Sequence, residues 1–249
     1  MIGTRSWRRL PAVIAVALVP TAAIQLLGLP VTAQQTDHRL ARGADLYAAG
    51  CASCHGPGGE GGVGPSLIGV GAAGVDFMLS TGRMPLADPD QTGTRGEPAY
   101  SAEEIDAIVA FVTSLGSGGP PIPSVDPARG AVATGREVFT ANCLACHGAG
   151  AQGASVGGGQ VAPPLDQATA LQIAEAVRFG PGPMPRFGDE QVTQHELDSL
   201  VRYVVSLRDA TDPGGLGLGH VGPVVEGLIA WLVGLGLLVL AIRFAGTRT

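Results

Sequence analysis

The sequence contains no lysine, and all fifteen of its basic residues are arginines. Aromatic residues make up only 4% of its 249 residues and charged residues only 14%, whereas Gly (39) and Pro (19) are abundant. Because large aromatic side chains dominate the buried area of most cores, a chain this poor in them is short of core material. A large prosthetic group buried in the fold would supply the missing apolar mass.

Positive charge is also scarce in the part of the chain between its two apolar ends. Residues 34–220 contain ten Arg against twenty Asp and Glu, which gives a net charge near −10. Such a surface repels nucleic-acid phosphates and favours partners with a basic docking face. We therefore expect no nucleic-acid partner, although ordinary acidic solubility charge would produce the same balance.

Cysteine occurs only four times, and its spacing is informative. An even number of cysteines in an exported chain usually indicates disulfides. Here the cysteines form two Cys-x-x-Cys-His motifs: Cys51-Ala-Ser-Cys54-His55 and Cys143-Leu-Ala-Cys146-His147. This motif is the attachment signature of haem c, in which two cysteines form thioethers to the haem vinyl groups and the histidine binds the iron.

Two other uses of these cysteines compete with haem attachment. Two Cys-x-x-Cys pairs together form a conceivable zinc site, since thiolate and imidazole suit that metal. A thioredoxin-like redox motif requires a βαβ context, which the sequence lacks. The histidine directly after each pair, the helical repeat and the preceding export signal favour haem c.

The chain contains an internal repeat. Gly43, Tyr47 and the first Cys-x-x-Cys-His-Gly recur 92 residues later as Gly135, Phe139 and the second Cys-x-x-Cys-His-Gly. Self-similarity at a fixed displacement indicates repeated structural units. We expect two similar small domains in tandem.

Further along, both halves carry the same helix signals. Ser101-Ala-Glu-Glu104 and Thr193-Gln-His-Glu196 are capping boxes, which begin helices. Apolar residues follow each box at spacings of three and four, as on one face of a helix. Short helices are predicted near Gly74–Thr81 and Gln167–Phe179, and a Gly-rich loop from Ala149 to Gln160. The predicted fold class is therefore all-α.

Two Met-Pro pairs lie at related positions. Met84 and Met184 each fall between their Cys-x-x-Cys-His motif and the last helix of the same half. A thioether is a soft iron ligand, and His/Met coordination raises the haem potential. The competing interpretation is that each Met fills a gap in the core. Met78 has no counterpart in the second half and is expected to pack in the core.

Residues near the motifs have predicted supporting roles. Pro65 and Pro163 follow the two motifs, and the carbonyl of each is a candidate acceptor for the second N–H of the ligand histidine. A plain turn is the alternative. Arg83 is a candidate partner for a haem propionate, since guanidinium binds carboxylates bidentately, or else a solvated arginine.

Both ends of the chain are apolar. Residues 1–33 combine three arginines with an apolar run and are predicted to be a signal peptide or an uncleaved signal anchor. Residues 221–244 are long enough to span a membrane, with a helix of a globular core as the alternative. Because basic residues follow this span and do not precede it, the C-terminus is predicted to be cytoplasmic and the repeats extracytoplasmic.

The predicted organisation is signal segment 1–33, domains 34–118 and 130–211 joined by linker 119–129, hinge 212–220, membrane helix 221–244 and tail 245–249.

These residues resemble class I cytochrome c domains. The whole chain resembles the dihaem cytochrome c subunits of the actinobacterial-type cytochrome bc complex, the quinol–cytochrome c reductase. The most specific stretches are Ser80-Thr-Gly-Arg-Met-Pro85, Gly180-Pro-x-x-Met184-Pro-x-Phe187 and Pro213-Gly-Gly-Leu-Gly-Leu-Gly219. The last stretch borders the membrane, where a soluble dihaem cytochrome has no reason to carry it.

The resemblance implies two covalent haem c groups, with iron ligands His55 and Met84 in the first domain and His147 and Met184 in the second. It implies partners as well: a cytochrome b subunit, a Rieske iron–sulfur subunit as donor, an aa3-type cytochrome c oxidase as acceptor, and membrane lipid. The chain would then be an electron-transfer subunit of an oxidoreductase in the cell membrane, with no substrate-converting site of its own.

Two other functions compete with this one. The first is a dihaem electron-accepting subunit of a periplasmic dehydrogenase, which has the same chemistry and a different donor. The second is a dihaem peroxidase, which requires an iron with an open or displaceable distal position. Apparent Met ligands for both haems argue against a peroxidase.

Overall fold

The structure is a computed structural model that describes residues 31–88, 91, 93–208 and 223–246. The predicted signal segment up to residue 30, the predicted hinge 212–220 and the last three residues lie outside the described residues. The helices are α1 (Val31–Gly50), α2 (Ala52–His55), α3 (Ala72–Ser80), α4 (Ala102–Ser114), α5 (Val132–Asn142), α6 (Leu144–His147), α7 (Ala170–Phe179), α8 (Gln194–Arg208) and α9 (Pro223–Gly246). A short 3-10 helix (Pro127–Arg129) and two strands, β1 (Ala154–Gly157) and β2 (Gln160–Ala162), complete the described elements.

Both predicted capping boxes begin helices. The Ser101 hydroxyl accepts the Glu104 N–H, and the Glu104 carboxylate accepts the Ser101 N–H, at the start of α4. Thr193 and Glu196 make the same reciprocal pair at the start of α8. These bonds satisfy N–H groups that the first helical turn leaves without partners.

Each half is built on one crossing of two long helices, α1 with α4 and α5 with α8. The repeated glycines lie at these crossings. A Cβ atom on Gly43 would lie 2.1 Å from the Ala107 carbonyl oxygen, and one on Gly135 would lie 2.0 Å from the Ser199 carbonyl oxygen. Only glycine lets the two backbones approach this closely.

The repeated aromatic residues lie beside the same crossings. The rings of Tyr47 and Phe111 are 5.2 Å apart between centroids, and those of Phe139 and Tyr203 are 5.5 Å apart, both pairs tilted. Such tilted pairs are a preferred aromatic geometry. Tyr47 and Phe139 are each only 1% exposed and belong to the apolar core of their half, and their partners Phe111 and Tyr203 pack against that core.

The middle of each half agrees with the predicted short helices, α3 and α7. The predicted Gly-rich loop from Ala149 to Gln160 differs in part, because β1 and β2 pair there as an antiparallel hairpin. Three consecutive glycines, 157–159, turn this hairpin, and each has a positive φ that L side chains rarely adopt. Outside this hairpin the described elements are helices and loops, as the all-α prediction required.

The segment between the halves is hydrogen-bonded at both of its ends. The Pro120 carbonyl accepts the Ala73 N–H of α3 at 3.1 Å. At the other end, the Asp198 carboxylate of α8 accepts the Asp126 N–H at 2.9 Å. The Pro-rich stretch predicted as a linker therefore lies against both helical units.

The two halves also contact each other directly, through α3 and α7. The Gln172 side chain amide donates to the Ser80 carbonyl at 3.2 Å, and Arg95 donates to the Gln172 side chain oxygen at 2.5 Å. A Cβ atom on Gly74 would lie 2.6 Å from the Phe179 ring. Each of these contacts joins a residue of the first half to one of the second.

Helix α9 differs from the others in having no buried face. From Gly227 to Gly246 its mean hydropathy is 2.3, and none of it is buried against the rest of the described chain. Trp231, for example, is 68% exposed. Within the described part of the chain, α9 is the one helix long and apolar enough to cross a membrane. The exposure argues against the alternative of a globular-core helix.

Candidate haem-binding sites

The two Cys-x-x-Cys-His motifs adopt the same local structure. The first cysteine of each, Cys51 or Cys143, interrupts the helical path and serves as the N-cap of a one-turn helix, α2 or α6. The histidine N–H then donates to the carbonyl of that cysteine at 2.9 Å in both motifs. This turn places both cysteines and the histidine of each motif within one turn of backbone.

Each histidine ring is held by the proline predicted to hold it. His55 Nδ1 lies 2.8 Å from the Pro65 carbonyl oxygen, and His147 Nδ1 lies 3.1 Å from the Pro163 carbonyl oxygen. Because a carbonyl only accepts, Nδ1 carries the proton and Nε2 keeps its lone pair. Both histidines are 9% exposed. The neutral, oriented imidazole is the form that binds a metal.

The loop after each histidine repeats as well. The His55 carbonyl accepts the Gly61 N–H at 2.7 Å, and the His147 carbonyl accepts the Gly153 N–H at 2.9 Å. After these bonds the halves diverge, since Pro65 follows His55 by 10 residues whereas Pro163 follows His147 by 16. The loop of the second half is therefore six residues longer, and it contains the hairpin of β1 and β2 just before its proline.

One position in this loop shows how the second half departs from the first. Gly59 has φ +75°, and its counterpart Ala151 has φ +57°, so a non-glycine residue occupies the left-handed region. The carbonyls of Gly59 and Ala151 accept the N–H groups of Leu67 and Leu165 at 2.8 and 2.9 Å. The loop thus keeps its shape although one of its glycines is replaced.

The two Met-Pro segments come after α3 and α7. The Met84 N–H donates to the Met78 carbonyl at 3.1 Å, and the Met184 N–H donates to the Pro181 carbonyl at 3.1 Å. Met84 packs against the same apolar cluster as Cys51 of the first half. Met184 shares the cluster of the second half with Cys143 in the same way.

All four cysteine thiols are free. Burial raises the pKa of the Cys51 thiol and raises that of Cys143 to about 11, with the second cysteine of each motif adding to the shift. These thiols are therefore protonated at neutral pH, unlike activated redox thiolates. Among the described residues, no three His, Cys, Asp or Glu side chains come together to hold a metal ion. This arrangement does not support the zinc alternative.

Arg83 provides a further test of whether haem fits the first half. Its Nη1 is buried without a hydrogen-bond partner, and its guanidinium lies 5.0 Å from the centroid of the Phe77 ring. Burial and the neighbouring Arg95 lower the Arg83 pKa. A buried guanidinium nitrogen without a hydrogen-bond partner is costly, and a haem propionate is an anion that would satisfy it. The residues present therefore fit the group.

The fold and the motifs define the class: two c-type cytochrome domains in tandem. Residues 40–116 match the family model described as Cytochrome c. Residues 130–204 match the model described as Cytochrome C oxidase, cbb3-type, subunit III. Cytochrome c domains bind haem c covalently, and the domain type is in accord with the prediction from the repeat.

Comparison with whole proteins places the chain more narrowly. It is 37% identical over 240 residues to the cytochrome bc1 complex cytochrome c subunit of Corynebacterium diphtheriae, covering 88% of this chain and 84% of that protein. It is 34% identical over 234 residues to the subunit of the same name from Mycobacterium tuberculosis, covering 89% and 81%. The chain belongs to the family of cytochrome bc1 complex cytochrome c subunits. A cbb3-type cytochrome c oxidase subunit CcoP from Azospirillum is more distant, 32% identical over 192 residues and 68% of this chain.

Several features of this region were not predicted from the sequence. The hairpin insertion is not visible in a stretch of glycines, because its register depends on pairing and not on a hydrophobic pattern. A third capping box, Thr169 with Gln172 at the start of α7, was present in the sequence as Thr-x-x-Gln and was not predicted. The contacts of Arg95 and Glu175 between the halves had no local indication.

Proposed function

We propose that this chain carries two haem c groups and conducts electrons within a quinol–cytochrome c reductase. In the first domain, predicted as residues 34–118, Cys51 and Cys54 form the thioethers. In the second, predicted as 130–211, Cys143 and Cys146 do so. Bound haem c supplies an iron that gains and loses one electron without any substrate being converted by the chain.

The proposed axial ligands are His55 with Met84 and His147 with Met184. The orientation of each imidazole supports the histidine assignments, since the proline carbonyl occupies Nδ1 and leaves Nε2 for the iron. The shared packing of Met and Cys in each half supports the methionine assignments. A His/Met pair raises the haem potential relative to more basic ligand sets.

The remaining residues would orient the group and exclude water. The apolar clusters that include Tyr47 and Phe139 also pack against the first Cys and the Met of each half, and would exclude water from the bound group. In the first domain, Arg83 would bind a propionate. A low-dielectric surrounding of this kind is one of the means by which a protein sets the potential of its haem.

The proposed route begins at a Rieske iron–sulfur subunit and ends at an aa3-type cytochrome c oxidase, with a cytochrome b subunit and membrane lipid as further partners. The names of the relatives support assembly in a bc1 complex. In this proposal α9 anchors the chain in the cell membrane, the haem domains are extracytoplasmic, and the C-terminus is cytoplasmic. Arg243, in the last turn of α9, and Arg248, after it, favour that orientation.

The observation that carries the proposal is the duplicated motif with both histidines oriented by a proline carbonyl. The direct test is an alkaline pyridine spectrum of the full-length protein, for which we expect two c-type haems per polypeptide. Replacing Cys143 and Cys146 together by Ser should leave one. A wild-type spectrum with fewer than two c-type groups contradicts the proposal.

The ligand assignment has its own test. Met184→Ala should lower the reduction potential of one haem and leave the other unchanged in a potentiometric titration, because a strong-field thioether ligand is lost from one iron. Met78→Ala is the matched control and should change neither potential.

The partner assignment is tested by isolating the tagged chain from membranes in mild detergent, where cytochrome b and Rieske subunits should accompany it. A dehydrogenase in their place would favour the alternative function.

A further inference from the structure

The contact between the two domains contains two facing carboxyl groups. Asp76 lies on α3 of the first domain and Glu175 on α7 of the second; these helices pack against each other, and the two carboxyl groups interact across the contact. Glu175 is 0% exposed, on a helix that also buries Ile173 and Val177. Asp76 is half-buried. Burial of two acidic side chains against each other is unusual because each ionised form loses its hydration.

Glu175 has no neutralising partner. Among the described residues, neither of its carboxyl oxygens has a hydrogen-bond donor. An ionised carboxylate can only accept hydrogen bonds, so two ionised carboxylates facing each other repel and cannot bond. One proton resolves both problems, since a protonated carboxyl group donates to the carboxylate opposite. Pairs of this type share one proton because both members cannot ionise together.

We propose that Asp76 and Glu175 share a proton across the interface, and that this proton holds the two cytochrome domains together. Loss of the proton leaves two anions in one buried contact and weakens it. Desolvation of Glu175 and the nearby Asp76 raise the pKa of Glu175 to about 9, in agreement with the geometry. The titration belongs to the pair and not to either residue alone.

Among the described residues, no arginine donates a hydrogen bond to either Glu175 oxygen. Arg95 donates to the Gln172 side chain oxygen, and Arg178, on the same helix as Glu175, donates to the carbonyls of Phe187 and Val192. Arg83 lies over the Phe77 ring.

Helices α4 and α8 pack against α3 and α7, and their charged side chains make contacts with residues other than Asp76 and Glu175. On α4, Asp106 and Glu104 pair with arginines of α1. On α8, Asp198 accepts the Asp126 N–H, and Arg208 donates to the carbonyls of the segment before α7. The other ionisable side chains of these two helices are Glu103, His195, Glu196, Arg202 and Tyr203. Arg202 donates to the Gly130 carbonyl, and Glu196 belongs to the capping box of α8.

The position of the pair gives it a consequence for electron transfer, which rests on the proposed function. Helix α3 ends at Ser80, four residues before Met84, and α7 ends at Phe179, five residues before Met184. The contact is therefore made by the two helices that lead into the segments with the proposed methionine ligands. Loosening it would change the separation of the haem sites, so transfer between them would become slower as the pH rises.

The direction of the pH effect follows from linkage. The docked pair binds a proton that separated carboxyl groups, with ordinary pKa values near 4.5, release at neutral pH. The contact is therefore strongest below about pH 4.5 and is lost as the pH rises toward about 9. Each pH unit inside this window weakens it by up to about tenfold for one linked proton.

The first measurement is the infrared spectrum of the full-length protein in detergent at pH 7. Wild type should show the carbonyl stretch of a protonated carboxyl group, and Glu175→Gln should lack it. Glu137→Gln, an exposed carboxyl on α5, is the matched control and should keep the band. Persistence of an identical band in Glu175→Gln would overturn the proposal.

The second measurement is the urea midpoint of unfolding between pH 5 and 9, followed by circular dichroism. Wild type and Glu137→Gln should lose stability as the pH rises. In Glu175→Gln the slope of stability against pH should be smaller, by the amount that corresponds to about one linked proton. The reason is that its amide donates to Asp76 at every pH. Asp76→Asn should reduce the slope in the same way, because it changes the other member of the pair. It replaces Glu175→Gln in the experiment if that variant does not fold. Wild-type slopes in both variants refute the shared proton.

The pyridine spectrum separates this proposal from the proposed function. Two c-type haems together with unchanged pH slopes would refute the shared proton and leave the haem assignment intact. Flattened slopes together with fewer than two haems would support the shared proton and contradict the haem assignment.

Discussion

Replacing Gly135 by Ala probes the close helix crossing on which the second domain is built. The new Cβ would lie 2.0 Å from the Ser199 carbonyl oxygen, 2.6 Å from the Ser199 carbonyl carbon and 2.7 Å from the Tyr203 Cβ. These neighbours are backbone atoms and the base of a side chain, which cannot rotate away. Helix α8 must therefore shift as a body, and the tilted contact between Phe139 and Tyr203 shifts with it.

The expected cost follows from two opposing effects. Overpacking a close-packed contact costs about 1–3 kcal/mol, and this contact belongs at the upper end because backbone is displaced. Alanine in place of glycine in a helix interior returns about 1 kcal/mol. We expect Gly135→Ala to lower the free energy of unfolding by about 2 kcal/mol, which for a domain of this size lowers the melting temperature by roughly 8–16 °C.

Urea and thermal unfolding of the full-length haem protein, followed by circular dichroism, would measure this loss. Glu137→Ala, on the exposed face of the same helix, is the control and should change stability by no more than about 0.5 kcal/mol. Gly43→Ala should reproduce the effect in the first domain, where the Cβ would lie 2.1 Å from the Ala107 carbonyl oxygen. A Gly135→Ala protein as stable as wild type would refute the proposed role of the crossing.

Three further substitutions test single contacts by the same unfolding assay. Tyr47→Phe removes a 2.7 Å hydrogen bond to the Gly56 carbonyl and should cost about 1 kcal/mol; no measurable loss would mean that water replaces it. Gly59→Ala should cost about 1–2 kcal/mol because its φ of +75° is left-handed, and an unchanged midpoint would show that the loop relaxes. Asp198→Ala removes the carboxylate that accepts the Asp126 N–H and should cost about 2 kcal/mol, with faster proteolysis of the linker; a linker cleaved no faster would contradict this anchoring role.

The two halves show how a repeated fold tolerates change away from its constrained positions. The motif, the crossing glycine and the aromatic pair recur in the same geometry. The loop that follows the histidine is six residues longer in the second half, and the longer loop contains the hairpin of β1 and β2. Since the insertion comes after the Gly153 bond and before Pro163, the histidine keeps its hydrogen bond. The loop can lengthen because only its two ends contact the histidine.

The sequence predicted the elements that depend on local chemistry. Attachment of haem c requires two cysteines and a histidine within five residues, so the motif is complete in the sequence. Capping boxes and apolar periodicity act within one or two helical turns, and for that reason the starts of α4 and α8 agree with prediction. The proline acceptors at Pro65 and Pro163 were predicted with a plain turn as the alternative, and the hydrogen bonds decide for the acceptors.

The contact between the two domains was decided by tertiary structure alone. Asp76 and Glu175 are 99 positions apart, and neither belongs to a motif or to the repeat. In sequence, Glu175 is an ordinary acidic residue on a helix. It becomes a buried acid whose oxygens have no hydrogen-bond donor only because α7 docks against α3. The free energy of an ionisable group depends on the dielectric and the charges around it, and those are properties of the assembled surfaces.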